Sequence, residues 1–294
     1  MLDYKGIEAL YTVQELQSFE AASKKLHITQ SAVSQRIKNL ESFYGEPALI
    51  RTLPYKPTPL GERLIGHFKQ LQLLEDTLQQ DLNPVEVRPR ISIAINRDSL
   101  ETWFQDFLDQ KHIFENILLE IIADDQELTL DYFKKGIVSA CLSTSSKELP
   151  GSKAVFLGHM DYFLVCSPGF AKKHFSNHPI QKSLLSAPAI KFDSNDKMHE
   201  RYLEKFFGIN GAELSFNVVP SVRGFKKYSM QGYGYGLIPR IDIECELKNN
   251  LLIHLEKDKL WSVPLYWHLW DIDSTYYRKI NLEIIHYVKT MLSF

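Results

Sequence analysis

The sequence predicts an α/β protein headed by an all-α domain, with one long helix joining the two parts. Three observations carry that prediction. Apolar residues in the first ~60 positions recur at helical spacing. A single helical stripe then runs from Pro59 to about Gln80. From Arg90 onward, runs of β-branched residues alternate with helical segments, the pattern of sheets covered by helices.

Ile7, Leu10 and Val13 mark one face of a first helix, and Phe19, Ala22 and Leu26 mark a short second one. Val33, Ile37, Leu40 and Tyr44 recur at i, i+4, i+7 and i+11, a core stripe on a third. Thr29 is its N-cap, and Gly45 closes it with Pro47 beyond. PALIRTLPYKPTPLG carries four prolines and cannot continue a helix. It reads as a short strand around Leu49 and Arg51, a stiffened turn, and a return at Pro57 and Thr58. Thr58 before Pro59 starts the long helix, a capping hydroxyl followed by proline at the first helical position. Along it, Leu60, Leu64, His67, Leu71, Leu74 and Leu78 are spaced 4, 3, 4, 3, 4. That is a coiled-coil seam and predicts self-association. A helix lying on its own domain is the plainer alternative, and a second strip, Ile65 and Phe68, suits either. His67 reads as a polar residue that sets register, ahead of a pH sensor.

NPVEVRPR, residues 83–90, is a proline-containing hinge. RISIAIN then gives period-two isoleucines at 91, 93 and 95. Helices are expected over about Ser99–Gln110, Leu128–Lys135 and Thr275–Leu292. Expected strands are Ile117–Ala123, Val138–Ser143, Tyr162–Ser167, Ala189–Phe192, Phe216–Pro220, Leu237–Pro239, Leu251–Leu255 and Leu265–Trp270. The alternation predicts parallel sheets, in one domain of about 200 residues or in two lobes with a cleft.

With 294 residues, 44% hydrophobic and 24% charged, the chain is an ordinary globular one of two or three folding units. Its 34 Lys+Arg against 36 Asp+Glu exclude a protein coated in nucleic acid along its length, but not a local basic face. The N-terminus lacks a signal-peptide layout, and no apolar run approaches the ~18–20 residues of a membrane span, so a cytoplasmic protein with no membrane partner is expected. Cys141, Cys166 and Cys245 are widely spaced, as buried thiols in a reducing compartment would be. The ten histidines show no metal-ligand spacing, so neither metal nor cofactor is expected. G-x-S-x-G, a nucleophile–base arrangement and a cofactor loop are all missing, which argues against an enzyme attached to the helical domain. GYGYG, residues 232–236, lacks the register of a phosphate loop and reads as a turn before the Leu237 strand.

KLHITQSAVSQRIKNLE, Lys25 to Glu41, stands out against this neutral background. No acid lies between Glu20 and Glu41, while Lys24, Lys25, Arg36 and Lys38 do. At ~100° per residue, Ser31, Gln35 and Lys38 point away from the core stripe, with Ser34 on the flank and Gln30 at the tip. Such a face can enter a major groove, amide and hydroxyl groups pairing with base edges while cations hold phosphates. A second helix, a tight turn at His27–Thr29 and this helix make the helix-turn-helix layout. A polar solvated face is the bland alternative. The missing acids, the position as last of three close helices and the Pro/Arg-rich segment that follows weigh against it.

SFEAASKKLHITQSAVSQRIKNLESFYGEPALIRT and the PTPLG that follows resemble the N-terminal motif of LysR-type transcriptional regulators over roughly Ala9 to Gly61. The resemblance lies in the Ala21-Ala22 pair, Leu26, Ser34, Ile37, the Leu40-Glu41 pair, Gly45, Arg51, Thr58 and Gly61. ITQSAVSQRIK, RTLPYKPT, INRDSLETWF, FDSNDKMH and YWHLW are most similar to the arginine/lysine-responsive ArgP/LysG type of that family. The resemblance implies a winged helix-turn-helix over residues 1–58, a dimerising linker helix over 59–82 and a hinge over 83–90. It further implies a two-lobed effector domain over 91–294, resembling periplasmic binding proteins. Lobe I would take about 91–162 and 266–294, and lobe II about 163–265. Gln30, Ser31, Ser34 and Gln35 would face the groove, Arg36, Lys38, Arg51 and Lys56 would hold the DNA backbone, and Thr29 at the helix start is counted among the DNA-binding residues. Many LysR-type proteins carry Arg where this chain has Gln35, and an amide favours adenine where Arg favours guanine. The implied partners are a double-stranded operator with dyad symmetry, a second copy through the linker helix in a dimer or tetramer, and RNA polymerase.

An effector would sit near strand C-termini and helix N-termini. INRDSLETW places Asn96, Asp98, Ser99, Thr102 and Trp103 after the first strand, ADDQE places Asp125 after the second, and FDSND places Asp193 and Asp196 after a later one. With Trp103 and Tyr266-Trp267-His268 as aromatic walls, these acids suit a cationic ligand such as lysine or arginine, its carboxylate at Ser99 and Thr102. Helix capping explains any single one of these acids equally well. A regulator answering to a different metabolite, or one whose lobes bind none, stands as the alternative. Cys141 and Cys166 resemble an oxidation pair of peroxide-sensing relatives, although Cys141 sits among small apolar residues where a buried thiol is plainer.

Overall fold

The computed structural model describes residues 2–82, 88, 90–115, 117–126, 128–210 and 214–292. Three helices open the chain, α1 (Tyr4–Leu16), α2 (Phe19–Lys25) and α3 (Gln30–Tyr44). Each begins with a side chain that accepts from a first-turn amide: Asp3 from Gly6 N, Ser18 from Ala21 N and Thr29 from Ala32 N. Gly45 ends α3 at φ 74°, a left-handed conformation that glycine adopts without strain. The predicted stripes, Ile7, Leu10, Val13, Ala22, Val33, Ile37 and Leu40, meet in one core.

A hairpin of β1 (Leu49–Ile50) and β2 (Lys56–Pro57) forms the wing and leads into α4 (Pro59–Leu82). Thr58 caps α4, its hydroxyl accepting from Gly61 N at 3.2 Å and donating to the Pro47 carbonyl at 2.6 Å. Exposure changes along α4. Leu64, Ile65 and Phe68 are buried in the N-terminal core, whereas Leu74, Leu78 and Leu82 are 44%, 60% and 70% exposed. The seam therefore packs on its own domain at one end and faces solvent at the other. His67 is exposed, its Nε2 3.3 Å from the Tyr4 hydroxyl. Of the predicted hinge, all but Arg88 and Arg90 lies outside the described residues.

Next come β3 (Arg90–Asn96), α5 (Arg97–Glu101), α6 (Trp103–Phe107), α7 (Lys111–Phe114), β4 (Leu118–Asp124), α8 (Thr129–Lys134) and β5 (Ala140–Ser143). They are followed by β6 (Ser152–Cys166), α9 (Pro168–His174), α10 (Ile180–Ser186), β7 (Ala189–Lys191), α11 (Met198–Phe207) and β8 (Phe216–Val218). The chain closes with α12 (Val222–Met230), β9 (Gly236–Pro239), α13 (Arg240–Lys248), β10 (Ile253–His254), β11 (Trp261–Trp270) and α14 (Thr275–Met291). These elements form two compact units: Met1–Asn96 with Gln110–Val155 and Tyr266–Ile285, and Arg97–Asp109 with Phe156–Leu265 and His286–Phe294. The predicted lobe I included 97–109 and 286–294, which the contacts group with the second unit; there Phe107 packs on Tyr287 at 5.4 Å.

In the first unit β3 runs parallel to β4 and β5, and β11 pairs antiparallel with β5. In the second, β6 pairs antiparallel with β9 and β10, and β7 runs parallel to β8. Antiparallel pairs thus stand beside the expected parallel ones, because the long strands β6 and β11 return against the βαβ order. Both strands begin before their expected starts at Tyr162 and Leu265. Gly158 and the charged positions Lys153 and Asp161 hide the first half of β6, and Pro264 hides that of β11. The single helix expected over Ser99–Gln110 is broken at Thr102, with φ −108° and ψ −107°. There the Thr102 hydroxyl donates to the Asp98 carbonyl at 2.6 Å, a local bond that bends helices.

The first unit also docks α4 on the turn after α8. A Cβ on Gly66 would lie 2.1 Å from the Lys135 carbonyl oxygen, and one on Gly136 would lie 2.6 Å from Gly66 Cα. Lys69 Nζ donates to the Ile137 carbonyl at 3.0 Å, and Lys135 pairs with Glu62 at 3.1 Å.

Candidate DNA-reading surface and effector-binding residues

On α3, Gln30, Ser31, Gln35 and Lys38 are exposed, Ser34 and Arg36 are half-buried, and Val33, Ile37 and Leu40 fill the core side. One face thus carries the polar groups that the sequence placed there. Gln35 Nε2 donates to Asn39 Oδ1 at 2.8 Å, which holds its amide across one turn of the exposed face. Thr29 is the N-cap that the sequence predicts. Its Oγ1 accepts from Ala32 N at 3.2 Å and lies 3.0 Å from Ser31 Oγ, so it fixes the helix start.

The cations sort by their partners. Lys24 and Lys25 pair with Glu20 and Glu15, at 2.7 and 2.6 Å. Arg51 pairs with Glu41 at 2.8 Å, while the same carboxylate accepts from Ala48 N and Leu49 N. Glu41, the acid ending the basic segment, therefore fastens the wing to α3 and aims Arg51. Arg36, Lys38 and exposed Lys56 have no acidic partner among the described residues.

Sequence reasoning missed Gln17. Its Nε2 donates to the Tyr55 carbonyl at 2.9 Å and its Oε1 accepts from Tyr55 N at 2.7 Å, a two-point clamp on the wing. Phe19 packs edge-on against the Tyr55 ring at 5.3 Å. No local signal marks a glutamine whose partner lies 38 residues away.

The effector set divides between the two units. In the first, Asn96 ends β3 opposite Asp124 of β4, and it is buried. Asp125 follows β4, its carbonyl accepting from Leu128 N and Thr129 N to start α8. His268 is fully buried, and its Nε2 donates to the Ser145 carbonyl at 2.7 Å. Burial holds its pKa below the ordinary imidazole value, so the ring is neutral and Nδ1 is an acceptor. The expected aromatic wall fails at Trp267, which is buried and donates to Asn281 Oδ1 at 2.6 Å.

In the second unit Asp98 Oδ2 accepts from the Tyr162 hydroxyl at 2.7 Å, and Asp193 Oδ2 lies 3.3 Å from Arg97 Nη1. Neither acid is an idle carboxylate. Trp103 is fully buried and so is no open wall either, and Ser99 is buried beside it in sequence. Among the described residues nine buried side-chain atoms lack a hydrogen-bond partner, and four belong to the effector set: Asn96 Oδ1, Ser99 Oγ, Trp103 Nε1 and His268 Nδ1. Buried polar atoms are normally paired with protein groups or ordered water.

The remaining candidates resolve as structure. GYGYG turns at Gly232 (φ 76°) and enters β9. Cys141 and Cys166 are buried, burial pushing the Cys166 thiol up to about 12 and Cys141 higher still, so neither is a ready thiolate. Cys245, expected buried, is exposed on α13. Among the described residues no group of His, Cys, Asp and Glu could hold a metal ion, and no helix is long and apolar enough to cross a membrane.

Comparison with known proteins agrees with this geometry. Residues 4–62 match the family described as bacterial regulatory helix-turn-helix protein, lysR family. The HTH-type transcriptional regulator ArgP of Vibrio cholerae is 37% identical over 293 residues, covering 99% of this chain and 98% of that protein. The crystal structure of ArgP from Mycobacterium tuberculosis superposes with a TM-score of 0.89 at 30% identity, covering 100% of this chain and 99% of that one. Full-length LysG from Corynebacterium glutamicum, with bound effector Arg, superposes at 0.81 with 26% identity, covering 100% of both chains. The chain belongs to the LysR family of helix-turn-helix transcriptional regulators and is similar to its ArgP members over nearly its full length.

Proposed function

We propose that this regulator binds a dyad-symmetric operator as a dimer or tetramer and answers to a basic amino acid, L-arginine or L-lysine. Gln30, Ser31, Ser34 and Gln35 read base edges, while Arg36, Lys38, Arg51 and Lys56 hold phosphates. Self-association uses the exposed end of the α4 seam, Leu74 and Leu78. RNA polymerase is the downstream partner.

The observation that carries the effector reading is the pair of unpaired buried donors at Ser99 and Trp103. In the second unit, Ser99 Oγ and Trp103 Nε1 are hydrogen-bond donors suited to a carboxylate, and Asp193 supplies negative charge for a cationic end. Asp98, Thr102 and Asp125 take a supporting part, since each already holds a local hydrogen bond. The arginine bound to LysG supports the same ligand class. An effector shifts DNA-binding arrangements only if it binds two of them with different affinity.

Thermal melting of the full chain against the twenty amino acids tests this. Stabilisation by arginine or lysine alone is expected. A flat panel, or a response to another amino acid, removes the basic-amino-acid reading and leaves the family assignment standing.

A further inference from the structure

Arg97 stands between the unpaired acceptor Asn96 and the unpaired hydroxyl of Ser99, inside the effector segment, and its charge matches that of the proposed ligand. Its guanidinium carbon lies 4.7 Å from the centroid of the Phe192 ring, and its Nη1 is 3.3 Å from Asp193 Oδ2. Asp193 is fixed by its own loop: Oδ1 accepts from Asn195 N at 2.8 Å and Asp196 N at 3.1 Å, leaving Oδ2 for the guanidinium. Phe192 is fixed too, its N–H donating to Asp196 Oδ2 at 2.9 Å. A fixed carboxylate beside an aromatic face is the chemistry that takes a guanidinium from solution. Both are occupied by the chain's own arginine. The two charged side chains are 35% and 34% exposed, so a solute can reach and exchange with them.

We infer that Arg97 is an internal competitor for the effector's cationic end: the ligand takes Asp193 and the Phe192 face only by displacing it. The inference rests on the basic-amino-acid reading and adds the residue that sets affinity and the preference between arginine and lysine. Competition lowers apparent affinity in proportion to the fraction of time Arg97 is away. It also selects. A planar guanidinium regains both the stacking on Phe192 and the charged hydrogen bond to Asp193 Oδ2 that Arg97 gives up, whereas an ammonium regains the charge without the planar stack. An ion pair with a purely structural role would change stability when removed and leave ligand preference alone.

Calorimetric titration of the full chain decides between these, using wild type, Arg97→Met and Arg97→Lys with L-arginine, L-lysine and methylguanidinium chloride. Arg97→Met is expected to bind L-arginine about tenfold more tightly than wild type, with a smaller gain for L-lysine. Methylguanidinium is expected to bind Arg97→Met, not wild type, and Asp193→Asn in that background should abolish its binding. Arg97→Lys keeps the ion pair without the planar stack, so it guards against a folding defect and should show an intermediate gain. The inference is overturned if arginine binds neither variant more tightly than wild type, or if methylguanidinium binds wild type and Arg97→Met alike. If no basic amino acid binds wild type yet methylguanidinium binds Arg97→Met, the effector reading falls and the self-occupied cation site stands.

Discussion

Gly66 lies in the interior of α4, about a third of the way along it, where helix propensity and docking make opposite predictions for Gly66→Ala. Replacing an interior helical glycine with alanine stabilises an isolated helix by about 1 kcal/mol. In the docked structure the new Cβ would lie 2.1 Å from the Lys135 carbonyl oxygen and 2.9 Å from Gly136 Cα. Both neighbours are backbone and cannot swing aside. Restoring ordinary contact requires helix and turn to separate by roughly 1 Å, and overpacking of this kind costs about 1–3 kcal/mol. Separation also stretches the bond from Lys69 Nζ to the Ile137 carbonyl, 3.0 Å long in the docked state. Lys69 is half-buried, and burial lowers its pKa, so the ammonium depends in part on this bond. A hydrogen bond to a charged group contributes about 1.5–3 kcal/mol. Together these outweigh the propensity gain, leaving a net loss of roughly 2–4 kcal/mol and a fall in Tm on the order of 5–15 °C. Thermal unfolding of the full chain, followed by circular dichroism, measures it. A Tm that rises by the few degrees of the propensity gain would refute the docking of α4 on this turn.

Gly136→Ala and Gly151→Ala share a positive φ, 66° and 76°, but only Gly136 is crowded, so Gly136→Ala should lower Tm clearly more; equal shifts would mean the contact with Gly66 contributes nothing. Gln35→Ala should change base preference at one operator position, while Lys38→Ala should weaken all sequences together and reduce the salt slope by about 1; quantitative gel shifts in which both behave alike would show that the groove-facing side is misassigned. His199 is fully buried, its Nε2 accepting from Leu237 N at 3.0 Å, and burial lowers its pKa to about 4. The unfolded chain therefore binds the extra proton first, and stability is lost as pH falls from about 6.5 toward 4, by up to about 3 kcal/mol. Melting curves across that window should flatten in His199→Gln, and an unchanged slope would assign the effect to other groups.

The N-terminal domain was readable because its determinants are local. Thr29, Gly45 and Thr58 act within a turn of where they stand in sequence, and the apolar stripes set which side of α3 faces out. The wing's fastening was not readable, since Gln17 meets Tyr55 and Glu41 meets Arg51 across spans that no periodicity reports. The same limit hid the approach of Gly66 to Gly136, each of which looks like an ordinary glycine in its own segment. In the effector domain, strand ends were placed well enough to find Asn96 and Asp193. Whether an acid is free depends on partners distant in sequence, however, and Asp98 with Tyr162 and Asp193 with Arg97 were invisible. Trp103 and Trp267 were read as walls because aromatic residues near strand ends suit a ligand. Their full burial follows from packing that the sequence does not express.

The most direct test of the proposed regulation is a footprint of the full chain on the DNA upstream of its own gene, with L-arginine, L-lysine or L-citrulline present. Citrulline keeps the shape of arginine and lacks its charge, so it isolates the cationic end. Arginine or lysine should change the extent or strength of a dyad-symmetric footprint, and citrulline should leave it as it is without ligand. A footprint identical under all conditions, or one that citrulline alters as arginine does, would contradict regulation through a basic amino acid.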